Sequence, residues 1–366
     1  MYQVKGYFSS LKGSHYDIGK QQGEFVKNHP YLIPQFIQQE HLVSDNYWTE
    51  SRNILNQYCP GINEEIAGFC EVLKIPARNL MYYYQTLLKA GCSHCVVLPK
   101  KTDSKHTYVL RNYDLSPKID DMRFCSTHVE GAYVHSGFST FYFGRTEGVN
   151  EHGLAVTFSA CGQPVGNIEG LRKPVLSGLQ CFAVIRVLLE KCKNVQEAIS
   201  IVDEMPIASN INLIVADPLD AARIEIFDGF KSITTIDEEN QDFIVSTNHA
   251  ISLSVQKLNN RRLEQSTNYT LYEHLNRNEQ VSMDSLKELV EREYPTGLTV
   301  HNYEEWFGTL HSVLFDLHNR TMNICFGSPL FNDWYSLKVG GSLSFSQVNV
   351  KFNNKTYTDF WREERY

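Results

Sequence analysis

The chain has 366 residues, with 34 lysines and arginines against 42 aspartates and glutamates, so its formal net charge is −8. Hydrophobic residues make up 42 % and charged residues 21 % of the chain, which excludes a disordered chain, a collagen-like repeat and a long coiled coil. Because no blocks of Lys and Arg are present, we expect no binding to nucleic acid.

Neither a membrane span nor an export signal is visible. No run approaches the ~18 apolar residues that a spanning helix needs, and the N-terminus lacks the continuous apolar core of a signal peptide. We therefore predict a cytoplasmic protein without a membrane partner. Its nine cysteines are odd in number and scattered, so most are expected to be reduced and buried.

The first 90 or so residues are predicted to be mostly helical. Ser14 can cap a helix that ends before Pro30. Residues 62–73 place their apolar side chains on one helical face, and Pro76 suits the first turn of a further helix. At Gly91 the chain changes to short β-branched runs, which predict strands.

The remainder alternates runs of predicted strands with pairs of predicted helices. A hairpin is expected from residues 95–98 and 107–110. The other predicted strands are at 124–129, 139–143, 154–158, 212–216, 223–227, 232–236, 243–246, 312–317 and 321–326. The predicted helices are at 176–191, 195–204, 259–276 and 283–293. This order favours an α+β protein with two sheets and helices on their outer faces.

The sharpest local feature is residues 91–95, Gly-Cys-Ser-His-Cys. Cys92 and Cys95 have the spacing of a redox pair, but here a helix precedes and a strand follows, the reverse of the usual order. One such pair supplies two metal ligands, and nothing completes a tetrahedral site, so we predict no metal and no cofactor. Cys92, at the head of a strand, is a candidate nucleophile; the alternative is that both cysteines only fill the core. His94 is expected at the surface.

Two polar clusters at strand ends are further candidates. Arg111, Asn112 and Asp114 end the second strand of the hairpin, which brings them back beside Cys92. The alternative there is a surface loop with an Arg–Asp pair. Asn248 follows another strand and can donate its amide hydrogens to an oxyanion, although asparagine is also common in ordinary turns.

Five short motifs occur in a fixed order along the chain. They are Gly-Ser-His-Tyr-Asp-Ile-Gly (13–19), Gly-Cys-Ser (91–93), Arg-Asn-Tyr-Asp (111–114), Asn-Glu-His-Gly-Leu-Ala-Val (150–156) and Thr-Asn-His (247–249). Together they resemble the acyl-CoA:6-aminopenicillanate acyltransferase (isopenicillin N acyltransferase) family of cysteine N-terminal-nucleophile (Ntn) hydrolases, which is related to choloylglycine hydrolase and penicillin V acylase.

The resemblance implies a fold and a processing event. The body of such a protein is a four-layer αββα sandwich, preceded by an N-terminal helical pro-segment. The precursor cleaves itself between Gly91 and Cys92, which gives a segment 1–91 and a catalytic body 92–366 that remain associated. Cys92 then becomes both the nucleophile and a new N-terminus.

We assign roles to four residues on this basis. The thiol of Cys92 attacks the substrate carbonyl, and its new α-amine moves the proton, as in other N-terminal nucleophiles. Asn248 holds the oxyanion. Asp114 orients the Cys92 amine, and Arg111 positions Asp114 or a polar group of the substrate.

Two points stay open in this comparison. The spacing from Cys95 to Arg111 and Asp114 matches the nucleophile of bile-salt hydrolases, although the neighbours of Cys92 and the long pro-segment favour Cys92. Bile-salt hydrolases also carry an asparagine where this chain has Ala160, so a backbone N–H is the candidate for the second oxyanion donor.

The function expected from these features is hydrolysis or transfer of the acyl group of a small N-acyl substrate, with an acyl-CoA or an amine as partner in a transfer reaction. No Gly-rich phosphate loop marks a CoA site, which favours hydrolysis. Two other functions stay open, a papain-like Cys–His hydrolase without chain cleavage and a non-enzymatic binding protein of the same fold. The sequence does not specify the oligomeric state.

Overall fold

A computed structural model of the chain describes residues 1–40, 43–83, 91–162, 165–167, 171–239, 241–258, 262–357 and 361–364. Its strands, in chain order, are β1 Tyr2–Gly13, β2 Ser93–Val97, β3 Tyr108–Leu115, β4 Arg123–Val129, β5 His135–Thr140, β6 Gly144–Arg145, β7 Glu147–Asn150, β8 Ala155–Ala160, β9 Ile211–Ala216, β10 Ala221–Phe227, β11 Phe230–Thr235, β12 Phe243–Ser246, β13 Arg262–Gln265, β14 His301–Asn302, β15 Phe307–Asp316, β16 Thr321–Phe326, β17 Trp334–Lys338, β18 Gln347–Phe352 and β19 Trp361–Glu364.

The α-helices lie between these strands along the chain. They are α1 His15–Asn28, α2 Ile33–Phe36, α3 Asp45–Tyr58, α4 Ile62–Leu73, α5 Cys181–Lys191, α6 Val195–Glu204, α7 Ile236–Glu239, α8 Leu253–Gln256, α9 Ser266–Arg277 and α10 Met283–Val290. In the described part of the chain, no helix is long and apolar enough to cross a membrane.

Two sheets form the centre of the molecule. The larger has ten strands in the order β11-β10-β9-β8-β7-β5-β4-β1-β18, with β6 paired to β5. The smaller has seven strands in the order β12-β2-β3-β15-β16-β17, with β14 paired to β15. Neighbouring strands are antiparallel except β1 and β4, which run parallel.

The two sheets pack face to face and carry helices on both outer faces. Strands β2 and β12 of the smaller sheet contact β8 and β9 of the larger one. Helices α5 and α6 cover the larger sheet, whereas α9 and α10 cover the smaller. Alternation along the strands explains the layering, because successive side chains of a strand point to opposite faces. The predicted α+β sandwich of four layers is therefore confirmed.

The N-terminal segment is mostly helical, as predicted, but it begins with a strand that the sequence analysis did not predict. The side chains of β1 mix polar and apolar residues without a regular alternation, so no periodic signal marks it. Hydrogen bonds to β4 on one side and β18 on the other place β1 inside the larger sheet. The segment thus shares its first strand with the body.

Further differences occur along the chain. Strands β7, β17 and β18 were also not predicted, the strand expected at 139–143 lies at His135–Thr140, and the helix expected at 259–276 begins only after strand β13. Pro76 is followed by the 3₁₀ turns Ala77–Asn79 and Met81–Tyr83 and not by the expected α-helix, and residues 84–90 lie outside the described range. Ser14 caps α1 as predicted, since its side chain accepts a hydrogen bond from the Asp17 N–H.

A buried ion pair links the N-terminal helices to the body. Arg186 of α5 donates from both terminal nitrogens to the two Glu65 oxygens of α4, at 2.8 and 2.7 Å. Both side chains are almost fully buried. Burial would raise the pKa of Glu65, but Arg186 and His15 lower it to about 2, so this carboxylate stays ionised.

Candidate active site

Cys92 lies immediately before β2, with its side chain buried between the two sheets. Strand β2 runs between β3 and β12, so that Ser93 pairs with Asn112 and His94 pairs with Ser246. The ends of three strands therefore meet at Cys92. This confirms the expected placement of the end of β3 beside the hairpin's first residue.

Asn248 holds Gly91, the residue before Cys92. The Gly91 N–H donates to Asn248 Oδ1 at 2.7 Å, and Asn248 Nδ2 donates to the Ala160 carbonyl at 3.1 Å. The Cys92 thiol faces the Asp114 carbonyl oxygen, 3.9 Å from the sulfur. The backbone carbonyl of Ala160 therefore fixes the orientation of the Asn248 amide.

The Asp114 carboxyl is buried next to the Gly91–Cys92 junction. Its Oδ1 accepts hydrogen bonds from Asn112 Nδ2 at 2.8 Å and from Thr309 Oγ1 at 2.7 Å. Its Oδ2 is buried and has no hydrogen-bond partner among the described residues. Burial raises the pKa of Asp114 to about 8, although Thr309 and the other polar neighbours act in the opposite direction. A group of this pKa can exchange a proton near neutral pH.

Arg111 has a different carboxylate partner from the one expected. Its Nε lies 3.7 Å from Glu147 Oε2 in the larger sheet, and its Nη1 donates to the Asn112 carbonyl at 2.9 Å. His311 Nε2 is 3.0 Å from the same Glu147 oxygen. Burial alone would raise the pKa of Glu147, but His311 and Arg111 bring it below the ordinary value. Glu147 thus carries the negative charge that balances Arg111.

The Cys92 thiol is neutral in this environment. Burial raises its pKa above the usual value, while the nearby positive charge of Arg111 lowers it in part. A thiol needs a base or an added positive charge to act as a nucleophile at neutral pH.

Cys95 and His94 point to opposite faces of β2. Cys95 packs among apolar side chains under α9 and α10, and burial raises its pKa to about 12. His94 faces the other sheet, where its ring nitrogens lie 2.7 Å from Thr157 Oγ1 and 3.1 Å from Ser159 Oγ. The expectation that His94 lies at the surface is therefore wrong, because β2 is covered on both faces.

Three side chains at the site were not found by sequence reasoning. Thr309 and Phe307 come from β15, and Glu147 comes from β7. A Cβ atom on Gly91 would lie 3.0 Å from the Phe307 ring and 2.9 Å from Asp114 Cβ. No local sequence signal marked any of the three, since Glu147 begins a four-residue strand, Glu-Gly-Val-Asn, that has no apolar pattern.

The geometry defines a class of protein. A cysteine at the head of an inner strand of a four-layer sandwich, with an amide and a carboxyl beside the preceding residue, is the arrangement of an Ntn-type amidohydrolase or acyltransferase. The sequence model of the family described as "Acyl-coenzyme A:6-aminopenicillanic acid acyl-transferase" matches residues 100–330, more than half of the chain. The chain belongs to this family and is an enzyme of that class.

Solved structures of similar proteins share little sequence with this chain. Penicillin V acylase from Agrobacterium tumefaciens is 17 % identical, with a TM-score of 0.44 over 68 % of this chain and 86 % of that one. The Caenorhabditis elegans ortholog of N-acylethanolamine-hydrolyzing acid amidase is 15 % identical, with a TM-score of 0.41 over 62 % and 93 %. A mutant of the conjugated bile acid hydrolase from Clostridium perfringens is 11 % identical, with a TM-score of 0.45 over 73 % and 99 %. No curated protein sequence matches the chain.

Proposed function

We propose that the chain cleaves itself between Gly91 and Cys92 and then hydrolyses or transfers the acyl group of a small N-acyl amide through a thioester on Cys92. The observation that carries this proposal is the setting of Gly91, the residue before Cys92: its N–H donates to Asn248 Oδ1, and its α-carbon lies against Asp114. The catalytic residues proposed are Cys92, Asp114, Asn248 and Arg111.

The first step would be self-cleavage. The Cys92 sulfur attacks the Gly91 carbonyl carbon, the C–N bond breaks, and the thiol proton moves to the Cys92 nitrogen. Water then hydrolyses the thioester, which releases the Gly91 carboxylate and restores the thiol. Asp114 places a titratable carboxyl against Gly91, and its pKa of about 8 suits it to take up and return this proton.

Cleavage would create the base that the second reaction needs. A free thiol of pKa about 8.5 is only about 3 % ionised at pH 7, whereas an α-amine of pKa about 7.7–8.0 is roughly 10–15 % free base. The Cys92 amine takes the thiol proton as the sulfur attacks the substrate carbonyl, and it passes that proton to the leaving nitrogen. Water or a second amine then resolves the thioester.

Asn248 is suited to hold the oxyanion. One hydrogen of its Nδ2 is used by the Ala160 carbonyl, and its other hydrogen is proposed to donate to the substrate oxygen. A donor of this kind contributes about 3–4 kcal/mol to the transition state in known enzymes. The buried charge of Arg111, balanced by Glu147, would stabilise the thiolate beside it.

The substrate, the acyl acceptor and the cellular compartment are also part of the proposal. The substrate is a small N-acyl compound, and an amine or acyl-CoA is the acceptor if the thioester is not hydrolysed. The two cleaved segments are proposed to remain associated, in the cytoplasm. A papain-like mechanism would need a histidine that takes the thiol proton; both ring nitrogens of His94, the second residue after Cys92, lie within hydrogen-bond distance of hydroxyl groups, those of Thr157 and Ser159.

Intact mass spectrometry with N-terminal sequencing tests the proposal. In proportion to residue number, 91 and 275 of the 366 residues of a 42.1 kDa chain give fragments of about 10 and 32 kDa. The larger fragment should begin at Cys92. Cys92→Ala should stay as one inactive chain, whereas Cys95→Ala should still be cut. A wild-type chain that hydrolyses amides while uncut would contradict the proposal.

A further inference from the structure

We infer that the acyl site takes groups of the glycyl type, in which the α-carbon is an unbranched methylene that carries an N–H. The inference rests on the proposed function and deepens it. It follows from the two sets of contacts that surround Gly91 in the uncut chain.

Self-cleavage and substrate turnover pass through the same covalent state. When the Cys92 sulfur attacks the Gly91 carbonyl, the glycyl group becomes a thioester on that sulfur, and the Cys92 nitrogen leaves as an amine. When the sulfur attacks a substrate amide, the substrate acyl group becomes a thioester on the same sulfur. The protein atoms around Gly91 are therefore those that a substrate acyl group meets.

The space around the Gly91 α-carbon excludes a branch. A Cβ atom there would lie 2.9 Å from Asp114 Cβ and 3.0 Å from Phe307 Cδ2. Real Cβ atoms essentially never lie within 3.0 Å of another heavy atom, so the distance to Asp114 is too short and the one to Phe307 is at the tight limit. Asp114 Cβ sits directly on the backbone of β3, and the Asp114 carboxyl is tied to Asn112 and Thr309. Phe307 is 7 % exposed and packs on Val300. An L-configured α-substituent would have to displace one of them.

The polar contact selects for an N–H on that carbon. The Gly91 N–H donates to Asn248 Oδ1 at 2.7 Å, and Asn248 is 2 % exposed. After cleavage, when Gly91 has moved out of the site, the buried Asn248 Oδ1 needs another hydrogen-bond donor. A site that hydrogen-bonds a substrate N–H rejects an analogue that lacks it, because the buried polar group is then left unpaired.

The chain's own cleavage gives the first test. Gly91→Ala should slow the appearance of the two fragments about tenfold or more, because the added methyl group meets Asp114 and Phe307. Combining it with Phe307→Ala should recover part of the rate, because the added methyl group can then move away from Asp114 Cβ into the space of the ring. Trp306→Ala, which removes the neighbouring and partly exposed aromatic ring, is the matched control and should give no recovery. Circular dichroism of each variant establishes that it is folded.

Three p-nitroanilides test the same site in the cut enzyme. N-acetylglycyl, N-acetyl-L-alanyl and 4-oxopentanoyl p-nitroanilide differ by one α-methyl group or by replacement of the N–H with a methylene. We expect kcat/KM to be about tenfold or more higher for the glycyl compound than for either of the others. Phe307→Ala should raise the ratio of alanyl to glycyl turnover, and Trp306→Ala should not.

The outcomes separate this inference from the function on which it rests. If Gly91→Ala is cut at the wild-type rate and the alanyl and glycyl compounds are cleaved equally, the inference is overturned and the proposed function stands. If none of the three amides is cleaved, the inference is decided by self-cleavage alone: it stands if Gly91→Ala is cut more slowly than the wild-type chain and is overturned if the two rates are equal. A wild-type chain that neither cuts itself nor cleaves any amide overturns both.

Discussion

At the scale of single residues, the site depends on a carboxyl that is held in an unfavourable setting. Asp114 is 1 % exposed, and one of its oxygens lacks a hydrogen-bond partner among the described residues. A carboxylate in such a place costs free energy unless it is protonated or paired. Its pKa of about 8 is the result. The charge that balances Arg111 comes from Glu147, so Asp114 stays available for proton transfer.

The rate of self-cleavage should follow the ionisation of Asp114. If its carboxylate takes up the proton of the thiol, the rate should rise with pH and level off above about 8. Fragment yield against time, measured by gel densitometry from about pH 6 to 9.5, gives the profile. Asp114→Asn should be cut at least about a hundredfold more slowly, the lower range for loss of a general base. A variant with the wild-type profile would exclude Asp114 from the reaction.

The same ionisation should affect stability, in a direction set by linkage. The folded pKa of Asp114 lies above the unfolded value of about 3.9, so its contribution is fully present below that value and is lost as pH rises through about 8. In the uncut Cys92→Ala background, the free energy of unfolding should fall from about pH 4 to 8. Adding Asp114→Asn should make that fall smaller, as urea titrations at each pH would measure. An equal fall in both proteins would contradict the burial of this charge.

At the scale of elements, the hairpin of β2 and β3 and the end of β12 assemble the site. Gly91 and Asn248 are 157 positions apart in sequence and share a hydrogen bond because β12 pairs with β2. Strand β15 pairs with β3 and adds Thr309, whose hydroxyl donates to Asp114. Helices contribute no side chain to these contacts; they position the sheets.

The buried ion pair between Glu65 of α4 and Arg186 of α5 is the strongest candidate for holding residues 1–91 against residues 92–366. Glu65→Ala should destabilise the uncut Cys92→Ala chain by about 3 kcal/mol, the lower end for breaking a buried ion pair, because Arg186 loses two hydrogen bonds to a carboxylate but keeps its pair with Glu190. The midpoint of urea unfolding measures this. Glu24→Ala is the control, since Glu24 pairs with Lys27 at the surface and should change stability by less than about 1 kcal/mol. Equal midpoints for the two variants would show that the buried pair is not a link.

At the scale of the whole molecule, the segment 1–91 is part of the same body as the rest. Strand β1 has hydrogen-bonded neighbours on both sides within the larger sheet. The buried ion pair between Glu65 of α4 and Arg186 of α5 also crosses from this segment to the rest of the chain. Cutting one peptide bond at Gly91 removes none of these contacts.

The two fragments should therefore stay together after cleavage. In native buffer, gel filtration should elute both at the position of the uncut Cys92→Ala chain, and in concentrated guanidinium they should separate. The reason is that β1 and the buried Glu65–Arg186 pair need unfolding before the segment can leave. Fragments that elute apart in native buffer would contradict this account.

Much of the fold was predictable because it follows from local patterns. The Ser14 cap, the apolar face of α4 and the strands β8 to β12 each have a signal within a few residues. The place of Asp114 beside Cys92 followed from hairpin geometry alone. By contrast, β1 has no regular alternation, and only its neighbours in the sheet make it a strand.

What the sequence by itself determined was many of the helices and strands, the two-sheet architecture and the small set of residues around Cys92. These depend on periodicity and short motifs, which are properties of neighbouring residues. Only the tertiary structure decided that the charge of Glu147 balances that of Arg111, that His94 is buried and that the Phe307 ring packs against Gly91. Those contacts join residues from different strands and sheets, and burial sets their charges, which no local pattern encodes.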